Sequence, residues 1–204
     1  MKPEEAMDEI QLIKRMIEET KRRSTAAYGN YFVGWGILIL LAIIVNYVLI
    51  YLERYNLIWV DWIVFMGLGT VLSAIDGSKK AARAQVQTYT SKILSYVWGG
   101  CGVAFILVGF IFPILNLYSY RAISPLVSLV AGLGMFVTGG LYEWSLLKWA
   151  AAIWWLGAIA LVFAHGFVQG GILILLVVVG YLYPGIQLNR HYGKKGGQDA
   201  TENA

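Results

Sequence analysis

The sequence predicts an all-α integral membrane protein, with six transmembrane helices behind a cytoplasmic amphipathic N-terminal helix. Three observations carry that prediction. Apolar types make up 58% of the 204 residues and charged types 14%, against about 25% charged in a typical soluble domain. The apolar residues gather into six runs of 19 to 22 residues, each able at about 1.5 Å per residue to cross a hydrocarbon core of about 30 Å. The lysines and arginines fall almost entirely into alternate gaps between these runs, the asymmetry that orients helices in membranes. A membrane barrel is excluded, because its strands are ~10 residues long and alternate in polarity.

The first element is residues 1–30. Ala6, Ile10, Ile13, Ile17, Thr20 and Ser24 recur at alternating spacings of four and three, the period of a helix seam. Glu4, Glu5, Asp8 and Glu9 load the first turns and Lys21, Arg22 and Arg23 the last, which complements the helix dipole. A helix from about Glu4 to Ala27 is expected. Helices that lie on lipid prefer Trp, Phe or Leu with basic flanks. This stripe has isoleucines and an acidic first half, so packing on protein is favoured. Ile10, Ile13 and Ile17 are the candidate partner-binding residues.

The six runs cover residues 31–52, 57–75, 95–115, 123–142, 146–164 and 168–188, and residues 189–204 form a polar cytoplasmic tail. The first 24 residues lack the short apolar core of a signal peptide, so the first run is expected to act as an uncleaved insertion signal. Tyr47, Tyr51, Tyr55, Trp59 and Trp62 cluster at the turn after it, as interfacial aromatic rings do. The second run carries Gly67-Leu68-Gly69 and is followed by Asp76. Between the second and third runs, Ala82, Val86, Tyr89, Ile93 and Tyr96 repeat the four–three spacing. That stretch is expected to extend the third run as a protruding helix, with Val86 and Tyr89 as the local mate of the isoleucine stripe.

The third run opens on Val97-Trp98-Gly99-Gly100 and has Pro113 near its end. The fourth carries Ser124, Ser128, Gly132 and Gly140 at multiples of four, includes Gly132-Leu133-Gly134, and is followed by Glu143. The fifth contains Trp154-Trp155-Leu156-Gly157, and the sixth has Pro184 near its end. Small residues of this kind allow close backbone approach between membrane helices; Ser95 with Gly99 and Gly100 with Ala104 give the third run the same pattern. Runs one, three and five share a Trp–Gly signature, and runs two and four share Gly-Leu-Gly followed by an acid. The chain therefore reads as three parallel helical hairpins.

One side of the bundle collects 14 basic residues and the other two, Arg54 and Arg121. Both termini are expected in the cytoplasm. The net charge of +4 then belongs to headgroup attraction at the ends of the spans, and nucleic acid is not an expected partner. In size and layout the chain resembles small bacterial multi-span proteins, which implies the inner (plasma) membrane.

With two histidines and one cysteine, neither a four-ligand His/Cys zinc site nor an internal disulfide can be built. No cofactor is expected, and no nucleophile–base arrangement is visible. Asp76 and Glu143, at the inner ends of runs two and four, form a candidate inner-face polar cluster with Arg190 and His191. Their bland alternative is pairing with Lys79, Lys80 or Lys148 at headgroup level. Asn46, Thr70, Ser73 and Thr138 are the notable polar groups within the runs. Proton-coupled carriers need ionisable groups inside the bilayer, and none stands near the centre of a run. The expected function is a non-enzymatic accessory, scaffolding or regulatory subunit that forms homo-oligomers or docks a cytoplasmic protein through its N-terminal helix. A small transporter or channel is the alternative, and a membrane-embedded enzyme comes last.

Overall fold

A computed structural model describes residues 29–83 and 89–190, and these are helical almost throughout. The helices are α1 (Gly29–Tyr51), α2 (Ile58–Arg83), α3 (Tyr89–Ile114), α4 (Ile123–Leu141), α5 (Ser145–Phe163) and α6 (Phe167–Arg190). With their flanking turns, all six are long and apolar enough to cross a membrane. The N-terminal stripe Ile10, Ile13 and Ile17, together with Val86, His191 and the polar tail, lies outside the described residues. Successive helices reverse direction, so Gly29 and Arg190 lie at one end of the bundle, here the terminal end. The turns after α1, α3 and α5 lie at the far end.

The helix boundaries follow local chemistry. Residues 78–83 continue α2 instead of preceding α3. The helix formers Lys79, Lys80, Ala81, Ala82 and Arg83 carry it on, and Ser78 Oγ donates back to Ile75 O at 2.9 Å. The protruding stretch is therefore shared between the end of α2 and the start of α3.

Helices α1, α3 and α4 end in the same way. Arg54 N donates to Leu49 O, Leu117 N to Phe112 O and Trp144 N to Gly139 O, at 2.8, 3.1 and 2.9 Å. Before each donor stands a left-handed residue, Glu53, Asn116 or Glu143, with φ of 55 to 56°. This is the Schellman closure, which commonly uses glycine at that position. Gly166, the N-cap of α6, also has a positive φ of 57°, but its ψ of −129° lies outside the left-handed helical region and it closes no such turn.

Two helices are widened beside a proline. Wide turns of the π type occupy Leu107–Ile111 in α3 and Val178–Leu182 in α6, each two residues before a buried proline, Pro113 or Pro184. A helical proline collides with the carbonyl four residues back, which belongs to Gly109 or Gly180. Widening the turn relieves the collision. Pro184 consequently does not end its helix, and α6 continues to Arg190.

The packed body is α4, α5 and α6. Their apolar windows are 44%, 39% and 39% buried, against 11% for α2 and α3. Met135, Leu147, Ala151, Trp154, Leu161, Leu176, Val177 and Tyr181 form the core, joined by Phe32 and Ile43 of α1. Several glycines meet a neighbouring side chain closely. A Cβ added at Gly132 would lie 2.5 Å from Trp155 Nε1, and one at Gly157 would lie 2.3 Å from Leu176.

Two of the expected small-residue contacts are shifted. Gly139, not Gly140, meets α5, while Gly140 faces open space. In α3, Leu94, Trp98 and Cys101 turn inward at helical spacing, and Gly99, Gly100 and Gly102 have no neighbour within 4 Å of an added Cβ. The glycines adjacent to Trp98 point away because the indole points in.

Candidate functional site

Each odd-numbered helix sets a tryptophan against a glycine of the helix that follows it. An added Cβ would come within 2.7 Å of the Trp35 ring at Gly69, within 3.0 Å of Trp98 at Gly134, and within 2.3 Å of Trp154 at Gly180. In the first two pairs a hydroxyl stands four residues after the glycine, one turn along the same face. Trp35 Nε1 donates to Ser73 Oγ at 3.0 Å and Trp98 Nε1 to Thr138 Oγ1 at 3.2 Å. In the third pair that position is Pro184, which has no hydroxyl, and Trp154 Nε1 has no hydrogen-bond partner.

Rings from four helices meet at the centre of the bundle. Tyr181 of α6 makes edge-on contacts with Phe32, Trp98 and Trp154 at centroid distances of 5.7, 6.3 and 5.5 Å. Phe32 and Trp98 meet at 5.7 Å. Edge-to-face geometry of this kind is favourable beyond the area it buries.

Toward the terminal end, α1 and α2 separate around a cleft of about 140 Å³. Trp35 and Gly69 border it, and Asn30, Tyr31, Ser73 and Asp76 give it polar edges. Asn189 Nδ2 donates to Asn30 Oδ1 at 2.8 Å, which ties the start of α1 to the end of α6. There Gly29 and Gly185 let the two backbones approach, since an added Cβ on Gly185 would stand 3.1 Å from Gly29 O.

Of the residues expected in an inner-face cluster, Asp76 lines this cleft. Glu143 sits exposed in the turn between α4 and α5, and Arg190 is exposed at the end of α6. Tyr89, expected in the docking surface, is the first residue of α3 and is 80% exposed. Among the described residues no three of His, Cys, Asp and Glu gather as metal ligands would.

One residue escaped the sequence reading. Asp61 lies near the start of the apolar run 57–75, in the first turn of α2. It is 7% exposed, and neither carboxylate oxygen has a hydrogen-bond partner. The signal was available: Asp61 and Phe65 precede, at intervals of four, Gly69 and Ser73, which meet Trp35 of α1. Trp59 and Trp62 mark the depth. Trp59 packs against Phe110 and Tyr120 at 5.8 and 5.6 Å, and Trp62 packs against the core. From the Trp35–Ser73 contact, the antiparallel register brings Asn46 and Tyr47 of α1 level with Asp61. Tyr47 is occupied elsewhere, donating from its hydroxyl to Phe167 O at 3.2 Å and stacking on that ring.

No family model matches the chain, and neither the curated proteins nor the solved structures yield a match. The fold and its contacts define an all-helical bundle with six helices able to cross a membrane, closed by aromatic rings at its centre.

Proposed function

We propose that the chain is a non-enzymatic membrane subunit, inserted with both termini in the cytoplasm, which docks a second copy or a cytoplasmic protein through its N-terminal helix. The observation that carries this reading is the ring cluster of Phe32, Trp98, Trp154 and Tyr181. These rings pack α1, α3, α5 and α6 against one another in the core, which leaves the periphery and the terminal end as the surfaces for work. The isoleucine stripe of residues 10, 13 and 17 leads into α1 at Gly29, at the same end as exposed Tyr89. The three tryptophan–glycine pairs support reading the chain as three repeated hairpins, with the proline of α6 marking where the third diverges.

Burying the isoleucine side chains contributes about 1.5–3 kcal/mol each, enough to hold a docked helix. Changing Ile10, Ile13 and Ile17 together to Ser should leave the bundle inserted. It should abolish self-association and partner recovery, read as native mass in mild detergent. Unchanged mass and recovery in a folded triple variant would overturn the docking role. A small transporter is the second reading, favoured by the polar edges of the α1–α2 cleft. Solute flux into proteoliposomes that is lost in Ser73→Leu, which fills that cleft, would establish it over the first.

A further inference from the structure

We propose that Asp61 is a proton-binding site: a carboxyl that is neutral inside the folded bundle and exchanges its proton through the far face when α2 parts from its neighbours. The inference rests on the membrane placement proposed above and goes beyond the docking role. A carboxylate removed from water without donors is among the least favourable of buried groups. Within a membrane span it marks a functional site by default.

The other titratable groups at the far end are accounted for. Glu53, Arg54, Arg121 and His165 are exposed, as are Tyr51, Tyr55 and Tyr120. Tyr47 and Tyr118 donate their hydroxyls to Phe167 O and Val108 O. None of these groups gives Asp61 a hydrogen bond, since both of its oxygens are unpartnered. The ligand must therefore neutralise the carboxyl without a prepared shell. A hard cation such as Ca²⁺ takes about 6–8 oxygen ligands, and neither oxygen of Asp61 has a polar partner that would begin such a shell. A proton needs no shell.

Release is built into the packing. The apolar window of α2 is 11% buried, and its first turns are held to the body chiefly by Trp59 against Phe110 and Tyr120 and by Trp62 against the core. Lifting those turns exposes the carboxyl to water, where it ionises. Closing them again requires a proton.

The test uses the full chain in lipid nanodiscs and dicyclohexylcarbodiimide, an apolar reagent that reacts with protonated carboxyls. The carboxyl oxygen bonds to the central carbon of the reagent and the carboxyl proton moves to its nitrogen, so the protein gains the whole reagent mass. Labelling of Asp61 at neutral pH should be roughly tenfold or more faster than labelling of Glu53, which is exposed to water, because the reagent is apolar and takes protonated carboxyls, and should slow as pH rises. Sodium ions at constant pH should not protect it.

Thermal unfolding gives a second readout. If the folded state binds one proton more than the unfolded state, stability falls as pH rises above the unfolded carboxyl's range of about 4, and Asp61→Asn should remove that slope while still folding. Absent labelling with parallel pH profiles for parent and variant would overturn the site, and protection by sodium would replace the proton with a cation. Co-flotation of the same protein with lipid vesicles reports membrane placement separately, so negative labelling of a floating protein removes the proton site alone.

Discussion

Trp98 donates its indole N–H to Thr138 Oγ1 at 3.2 Å, and the same hydroxyl donates back to Gly134 O at 2.6 Å. One buried threonine thereby does two jobs. It returns its proton to its own helix, one turn behind, and offers its lone pair to α3. Gly134 admits the ring that makes the second bond possible. Trp35 and Ser73 repeat the indole-to-hydroxyl bond between α1 and α2 beside the open cleft.

Replacing Thr138 by Val keeps the shape and removes the acceptor. The indole N–H of Trp98 is then left without its partner in a low-dielectric setting, and stability should fall by about 1 kcal/mol. Thr138→Ser should retain most of it. Ser73→Ala should cost less, because Ser73 is only half-buried at the cleft edge. Thermal unfolding in detergent checks all three, and equal losses at Thr138 and Ser73 would mean that burial does not set the strength of this bond.

Glycine substitutions should divide by what each position faces. Gly180→Ala drives a methyl against the Trp154 ring, and overpacking of this kind costs about 1–3 kcal/mol. Gly99→Ala meets open space and gains up to about 1 kcal/mol of helix propensity. Opposite shifts in melting temperature are expected. A common sign would show that glycine acts here through the unfolded chain, with contact playing no part.

The contrast shows what the sequence could and could not reveal. Run length located all six helices, with most boundaries within two or three residues, but α2 runs on to Arg83 and α3 starts at Tyr89, because polar helix formers extend a helix without lengthening its apolar run. Which glycine faces inward was less legible: Gly99 and Gly134 look alike in sequence, and only the rotation of the neighbouring tryptophan separates them. Pro184 was placed near a helix end, since a widened turn that absorbs a proline leaves no sequence mark beyond Gly180 four residues earlier. Asp61 was overlooked because averaging over a run hides one acid among apolar neighbours. Its alignment at intervals of four with Gly69 and Ser73 would have placed it on the inward ridge.

The closure of α1 offers a route to higher stability. Glu53 adopts φ of 56°, which costs an L-residue roughly 1–2 kcal/mol, and glycine takes this conformation freely at the expense of unfolded-state entropy. Glu53→Gly should therefore stabilise by up to about 1 kcal/mol. Asn116→Gly at the end of α3 should gain less, because asparagine already tolerates the left-handed region. Melting temperatures of the two variants decide it; a loss at Glu53 would assign that side chain a stabilising contact of its own.

Orientation can be read from single cysteines, because the native chain has only Cys101, which is buried. In a Cys101→Ser background, Ser119→Cys lies in the exposed turn between α3 and α4 and Ser78→Cys on exposed α2 near the terminal end. Among the described residues Arg54 and Arg121 lie at the far end and Lys79, Lys92, Lys148 and Arg190 toward the terminal end. Basic loops stay in the cytoplasm, so a membrane-impermeant maleimide added to intact cells should label Ser119→Cys and spare Ser78→Cys. Opening the membrane should then make both reactive, which shows that protection came from compartment and not from burial. Labelling of Ser78→Cys in intact cells would invert the bundle. Asp61 would then open toward the cytoplasm, and the proton it binds would be drawn from that side.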